Sequence, residues 1–506
     1  MDEHYKVLHE RFVGNNKGSK DPWEIFGLSL ILPASYLLSQ LLAPFLSRSS
    51  FLLETSLFTL PILLSLTCCS EKSLWILFAL LGISFCIFYY VYRKSYFAKS
   101  WNSFTSNSTS SKTVIYDFIN AYRGNLLMST CITILAVDFP VFPRRFIKTE
   151  SYGYGFMDLG VGSFVFANGL LSYEARHVFN SKSKSFRIIN SLQNSSCLLV
   201  LGITRVISVK LLNYQEHVTE YGVHWNFFFT LAFVKILSTL LLCLISQKHS
   251  WLISLFLGLA HEGILASSLG ASYILDSNTH RGDFFSSNRE GIMSLLGYVA
   301  IYLGGVYWGV QIQGSIAEDS SIKSCIKLFK SLSFWSIVMW CSLMYSQDLF
   351  LLPSRRMANW SYFNWMLAFN LSQCAFFLLF KIIGLWYREL FFVYLENSKS
   401  GRNGKSNKGG KVSSKRKSSF INPIKPKSNE NPAIQLPNPA SYLLDAVCYN
   451  GLPYFLFSNI FTGIVNFFVQ TIYATNCYAI LILFGYSSIL NYLAFKLFVK
   501  KIRWKI

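Results

Sequence analysis

The chain has 506 residues, of which 52% are hydrophobic and only 14% charged. Soluble domains carry about 25% charge, so the three soluble domains that length alone suggests are excluded by composition. The net charge of +21 has no compact basic domain to carry it, which excludes a nucleic-acid binder.

Residues 1–22 are polar and mixed in charge, with no short apolar run and small-residue cleavage site. They are expected to form a polar N-terminus, and the first span to act as its own insertion signal. Thirteen apolar runs follow, near 25–46, 51–69, 74–92, 125–142, 157–173, 195–212, 227–246, 251–275, 292–311, 331–349, 363–386, 453–473 and 478–499. Many reach about 20 residues, the length that crosses a hydrocarbon core. Lipid offers backbone polar groups no partner, so each run must be helical. The ten-residue alternation of a barrel does not occur. The fold class predicted is therefore all-α: a polytopic membrane protein of about 13 helices, one membrane domain over residues 1–506. The stretch 382–395 reads either as an extension of the eleventh span or as an interfacial helix.

Residues 397–438, rich in Ser, Gly and Asn, read as a disordered linker. Ten Lys and Arg lie between Lys399 and Lys427, with no acid among them, and the C-terminus adds Lys496, Lys500, Lys501, Arg503 and Lys505. Two spans separate these basic segments, so they share a side, which the positive-inside rule makes cytosolic. Counting back places the N-terminus in the lumen. Eleven cysteines fall mostly within apolar runs, without a CxxC pair, and read as buried small hydrophobes. No metal site is predicted.

The same count puts four polar clusters on the lumenal face: Asp138 to Glu150, Glu216 to His224, His280 to Glu290 and Arg355 to Asn359. Arginine there runs against the usual bias. In DFPVFPRRFIK at 138–148, Asp138 closes an apolar run, where an unpaired carboxylate is costly. Pro140 and Pro143 stop regular helix, so Lys148 can fold back towards Asp138. Arginines that hold phosphate and a carboxylate that accepts a hydroxyl proton would suit an anionic lipid substrate. A juxtamembrane salt bridge with snorkelling arginines accounts for the same residues. The segment His280-Arg-Gly-Asp-Phe-Phe-Ser-Ser-Asn-Arg-Glu290 carries five ionisable groups and reads equally as an exposed loop. His261 and Glu262 lie mid-span, as an acyl-transfer base or as helix-packing hydrogen bonds. Asn459, Thr462, Gly463 and Asn466 line one helical face, either packing or a lipid pocket. No P-loop, GxSxG or HExxH occurs. A polytopic lipid transporter or flippase remains the alternative class, although no clear inverted repeat supports it.

Four segments, DFPVFPRRFIKTESYGYGFMDLGVGSFVF at 138–166, THRGDFFSSNREGIMSLLGYVAIY at 279–302, SRRMANWSYFNW at 354–365 and NIFTGIVN at 459–466, carry a resemblance. Together they resemble the glycosylphosphatidylinositol inositol acyltransferase family, in its fungal GPI-anchored wall transfer protein branch. The resemblance implies an endoplasmic reticulum enzyme that moves a fatty acyl chain, usually palmitoyl, from acyl-CoA to glucosaminyl-phosphatidylinositol. Acyl-CoA would be a co-substrate, with no bound cofactor. It implies Asp138 and Lys148 as the catalytic pair. The polar clusters and these segments supply the residues expected to bind substrate: Arg144, Arg145, Asp158, His280, Arg281, Asp283, Asn288, Arg289, Glu290, Arg355, Arg356, Asn359, Asn459 and Asn466.

Overall fold

The computed structural model describes residues 3–14, 18–45, 51–95, 104, 111–211, 218–267, 270–276, 281–318, 321–406 and 441–504. Among them the chain is helical, and its sole strand-like pairing is an isolated bridge between Ser19 and Tyr154. The polar N-terminus contains a helix, α1 (Glu3–Val13). The helices that follow are α2 (Pro22–Phe45), α3 (Phe51–Leu66), α4 (Ser73–Lys94), α5 (Ser111–Ala136), α6 (Asp158–Leu171) and α7 (Lys184–Leu211). After the short α8 (Val218–Tyr221) come α9 (Phe227–Leu244), α10 (Ser250–Leu265), α11 (Leu295–Glu318), α12 (Ile322–Leu349) and α13 (Trp360–Ser406). The chain closes with α14 (Tyr442–Tyr449), α15 (Gly451–Phe468) and α16 (Asn476–Val499).

Local chemistry sets several starts. Asp21 accepts from Trp23 N and precedes Pro22, whose missing N–H is no loss in a first turn. Asn226 accepts from Phe228 N and Phe229 N to open α9. Nine helices among the described residues are long and apolar enough to cross a membrane. The expected thirteen is therefore not reached. In particular α3 and α6 are apolar but only 16 and 14 residues long, short of about 20. The stretch 382–395 continues α13, which runs on to Ser406; residues 407–438 of the expected linker lie outside the described residues.

The core lies where α13 packs on α2, α5 and α12, and where α11 packs on α6 and α10. Burial here needs partners for polar atoms, and interhelical bonds supply them: Tyr122 to Asn370 at 2.6 Å, Trp340 to Ser372 at 3.0 Å, and Tyr454 to Asn491 at 2.9 Å. A glycine seam brings α6 against α11. A Cβ at Gly169 would collide with the Tyr302 carbonyl, one at Gly305 with that of Phe166, and one at Gly309 with that of Leu170. Trp75, Phe78, Ile207 and Phe467 are exposed on the outer helices, as lipid-facing side chains are.

Each antiparallel crossing alternates the ends of the bundle. One face collects the turns that contain the polar clusters. The other holds the ion pair Lys381–Asp117 at 2.6 Å, and the Asn120 to Asp445 bond at 3.0 Å. There, Asn450 at the start of α15 bonds the Ile502 carbonyl and Trp504 N beyond α16. This fixes both ends of the α15–α16 pair on one side. Tags inserted in 407–440 and at the C-terminus should thus share a side in protease-protection assays of sealed microsomes. Opposite protection of the two tags would contradict this topology.

Candidate active site

Asp138 lies in the turn just beyond α5, and the two prolines after it prevent the helix from continuing. Its carboxylate is 5% exposed and is held from two directions. His9 of α1 places Nε2 at 3.2 Å from Oδ1, and Asn466 of α15 donates to Oδ2 at 2.8 Å. A carboxylate offers acceptors only, so the imidazole N–H donates. The Oδ1 of Asn466 is buried beside it with no hydrogen-bond partner among the described residues. Arg144 closes the turn by donating to the carbonyls of Val137, Phe139 and Phe142, and it stacks over the Phe12 ring at 4.0 Å. A cation at carbonyls that end a helix is favourably placed.

Lys148 does not pair with Asp138. Its Nζ lies 2.6 Å from Glu220 Oε2, from the acidic stretch that the sequence marks only as a minor cluster. Glu220 Oε1 accepts from Arg355 at 3.0 Å, and Arg355 Nε reaches Asp158 Oδ1 at 2.9 Å. Thr149 donates its N–H and hydroxyl to Asp158 Oδ2 at 3.1 and 3.0 Å. The result is an alternating run, Lys148–Glu220–Arg355–Asp158, that joins the α5–α6 connection to the segments before α9 and α13. Burial pushes the Glu220 carboxyl up, but the charges of Lys148 and Arg355 outweigh this and hold it well below the carboxylate range. Gly155 is required here, because a Cβ would collide with the Ile147 carbonyl and press on Asp158 Oδ2 at 2.6 Å.

A third group surrounds Glu290, which is fully buried and receives Arg281 at 2.6 Å, Arg356 at 2.9 Å and, more distantly, Arg289 at 3.7 Å. Asn288 accepts from His224 N at 2.8 Å, linking this group to the Glu220 segment. Gly222, at φ 117°, allows that approach, since a Cβ would meet Asn288 Cα at 2.5 Å. Arg145 is paired with Glu24 and Glu71, each at 2.7 Å. The four arginines expected to hold phosphate, Arg144, Arg145, Arg355 and Arg356, are thus all engaged by the protein itself.

The remaining expected residues divide. Asp283 caps its own short turn through Phe285 N at 3.0 Å. Asn359 opens α13, accepting from Ser354 N at 2.8 Å and Tyr362 N at 3.2 Å, and Glu262 accepts from Trp360 N at 2.8 Å. His261 lies 2.8 Å from the Met357 carbonyl, which is the packing alternative for that pair. Asn459 donates to the Phe455 carbonyl of its own helix, on an exposed face. His280 lies outside the described residues. Next to the clusters, a cavity of about 70 Å³ runs between α2, α5, α6 and α13, lined by Tyr122, Asn125, Thr133, Met157, Gly160 and Phe377. No group of three metal-binding side chains occurs among the described residues.

Two residues escaped the sequence reading. Glu220 had a signal, the acidic stretch at 216–224. His9 had one too: Tyr5, His9 and Phe12 fall at i, i+4 and i+7, one face of a helix.

A profile of the GWT1 family matches residues 5–497. The chain belongs to the GWT1 family. It is 34% identical to GPI-anchored wall transfer protein 1 of Aspergillus oryzae, over 98% of this chain and 98% of that protein. It is 33% identical to glucosaminyl-phosphatidylinositol-acyltransferase PIGW of Bos taurus over 94% of this chain and 95% of the relative. The Homo sapiens PIGW protein is 34% identical over 94% of each chain. The GWT1-family match covers every cluster described above.

Glu220 makes a prediction about acid. Its folded pKa is lowered, so its contribution to stability is present above about pH 4.3, the ordinary glutamate value, and is lost as pH falls through the folded one. Glu220→Gln should cost about 2 kcal/mol at neutral pH, as a charged hydrogen-bond pair does, and should flatten the acid limb of a thermal-stability profile in detergent. A wild-type acid limb in the variant would contradict the assignment.

Proposed function

We propose that this chain transfers a fatty acyl group from acyl-CoA to an inositol hydroxyl of glucosaminyl-phosphatidylinositol, in the endoplasmic reticulum membrane. The observation that carries the reading is Asp138, a nearly buried carboxylate oriented by two donors at the end of a helix in a polytopic chain. Relatives named as acyltransferases of that glycolipid, similar over nearly the whole chain, favour transfer over transport.

The step proposed is direct. Asp138 takes the proton of the acceptor hydroxyl as its oxygen attacks the thioester carbonyl. The C–O bond forms and the C–S bond breaks, and CoA leaves as thiolate that takes up the proton. Lys148, one-fifth exposed and paired with Glu220, supplies a positive charge, for the developing oxyanion or for the inositol phosphate. The acyl chain is assigned to the cavity along α5, which must widen to hold it. Holding donor and acceptor in one bundle converts a bimolecular encounter into a local one. The face with the clusters is assigned to the lumen, and the basic segments to the cytosol.

Asp138→Asn keeps the shape and one of the two acceptors but removes the base, so acyl transfer from labelled acyl-CoA should fall on the order of a hundredfold or more. Lys148→Ala should be severe too, and the parameter it moves separates the two lysine roles: kcat for the oxyanion, KM for the phosphate. A folded Asp138→Asn protein with near wild-type transfer would remove the catalytic assignment.

A further inference from the structure

We infer that the N-terminal helix α1 is a working part of the transfer centre, with His9 a positioning residue for Asp138. The inference rests on the reading of Asp138 as the base. A carboxylate at the end of a helix can rotate about its last bond, and only donors from other elements fix which lone pair faces the substrate. Asn466 on α15 supplies one and His9 on α1 the other.

The helix is built for this place. Tyr5, His9 and Phe12 share one face, and each meets a different part of the site. The Tyr5 hydroxyl lies 3.3 Å from Thr471 Oγ1, in the turn directly after α15. Phe12 lies under the Arg144 guanidinium, and its carbonyl accepts from that side chain at 3.4 Å. His9 sits between them, 17% exposed, on the carboxylate itself. The helix therefore spans from the end of α5, which carries Asp138, to the end of α15, which carries Asn466. The Ser19–Tyr154 bridge then ties the following segment to the loop that precedes α6. A helix that served only as an anchor would need the Tyr5 and Phe12 contacts and would gain nothing from a polar group at position 9.

The test compares His9→Phe, which keeps an aromatic ring beside Tyr5 but loses the donor, with His9→Gln, which keeps a donor of similar reach. Loss of one hydrogen bond to a charged group should lower kcat by on the order of tenfold to a hundredfold in His9→Phe. KM for acyl-CoA should stay near wild type. His9→Gln should recover most of kcat, and both variants should melt alike. In an Asp138→Asn background, His9→Phe should add little, because the two act as a unit. Wild-type kcat in His9→Phe would overturn the inference, and so would equal losses in both variants. If Asp138→Asn is inactive while His9→Phe is normal, this inference alone fails. If Asp138→Asn is active, the base assignment itself fails.

Discussion

The run Lys148–Glu220–Arg355–Asp158 is the interaction on which the site depends. Each charge lies where water is scarce, and each would be costly without its neighbours. The four residues come from the loop after α5, the start of α6, the turn before α9 and the turn before α13. Pairing them determines how those helices end relative to one another. The Glu290 group repeats the device with the turns before α11 and α13, and Arg356 follows Arg355 directly, so the two networks share a backbone. Ala358 just beyond adopts φ 50°, with its carbonyl against Gly297. Non-glycine residues take this conformation at a cost, and they persist in it only where their surroundings impose it.

Asp138 stands apart from that run. Its neighbours are an amide, an imidazole and, at longer range, the Arg144 guanidinium, whose hydrogen bonds go to backbone carbonyls. Lys148 and Arg355 are bound instead to Glu220, an acid on a separate loop. Strong cations and the proposed base are thereby kept in neighbouring but distinct sets of contacts.

Much of this was legible in the residues. The apolar runs required helices, and the prolines after Asp138 required the turn. The placement of the clusters on a common face followed from counting spans, and the contacts among Glu220, Asn288, Arg355 and Arg356 realise it. Pairwise partners were not legible. Lys148 lies ten positions from Asp138, yet its counterion is Glu220, seventy-two positions on, because loop ends meet by helix packing rather than by sequence distance. Likewise the arginines expected to hold phosphate are occupied, Arg145, Arg355 and Arg356 by acids from distant segments and Arg144 by backbone carbonyls. The role of α1 was hidden because its three aligned residues are too few for a clear period. Nine helices among the described residues have the length and apolarity of a crossing, and α3 and α6, read as spans, are shorter apolar helices.

The seam between α6 and α11 has a mechanical meaning. Where Gly169, Gly305 and Gly309 meet facing carbonyls, the two helices touch backbone to backbone. Side-chain layers can slip by changing rotamers, but a backbone contact has no such soft layer between its surfaces. Displacing one helix along the other would drive the next residue's Cβ into a carbonyl. This pair therefore behaves as a rigid spine, and α6 carries Asp158 at one end of it. Any widening of the cavity along α5 must then come from α2, α5 or α13, with α6 held against α11.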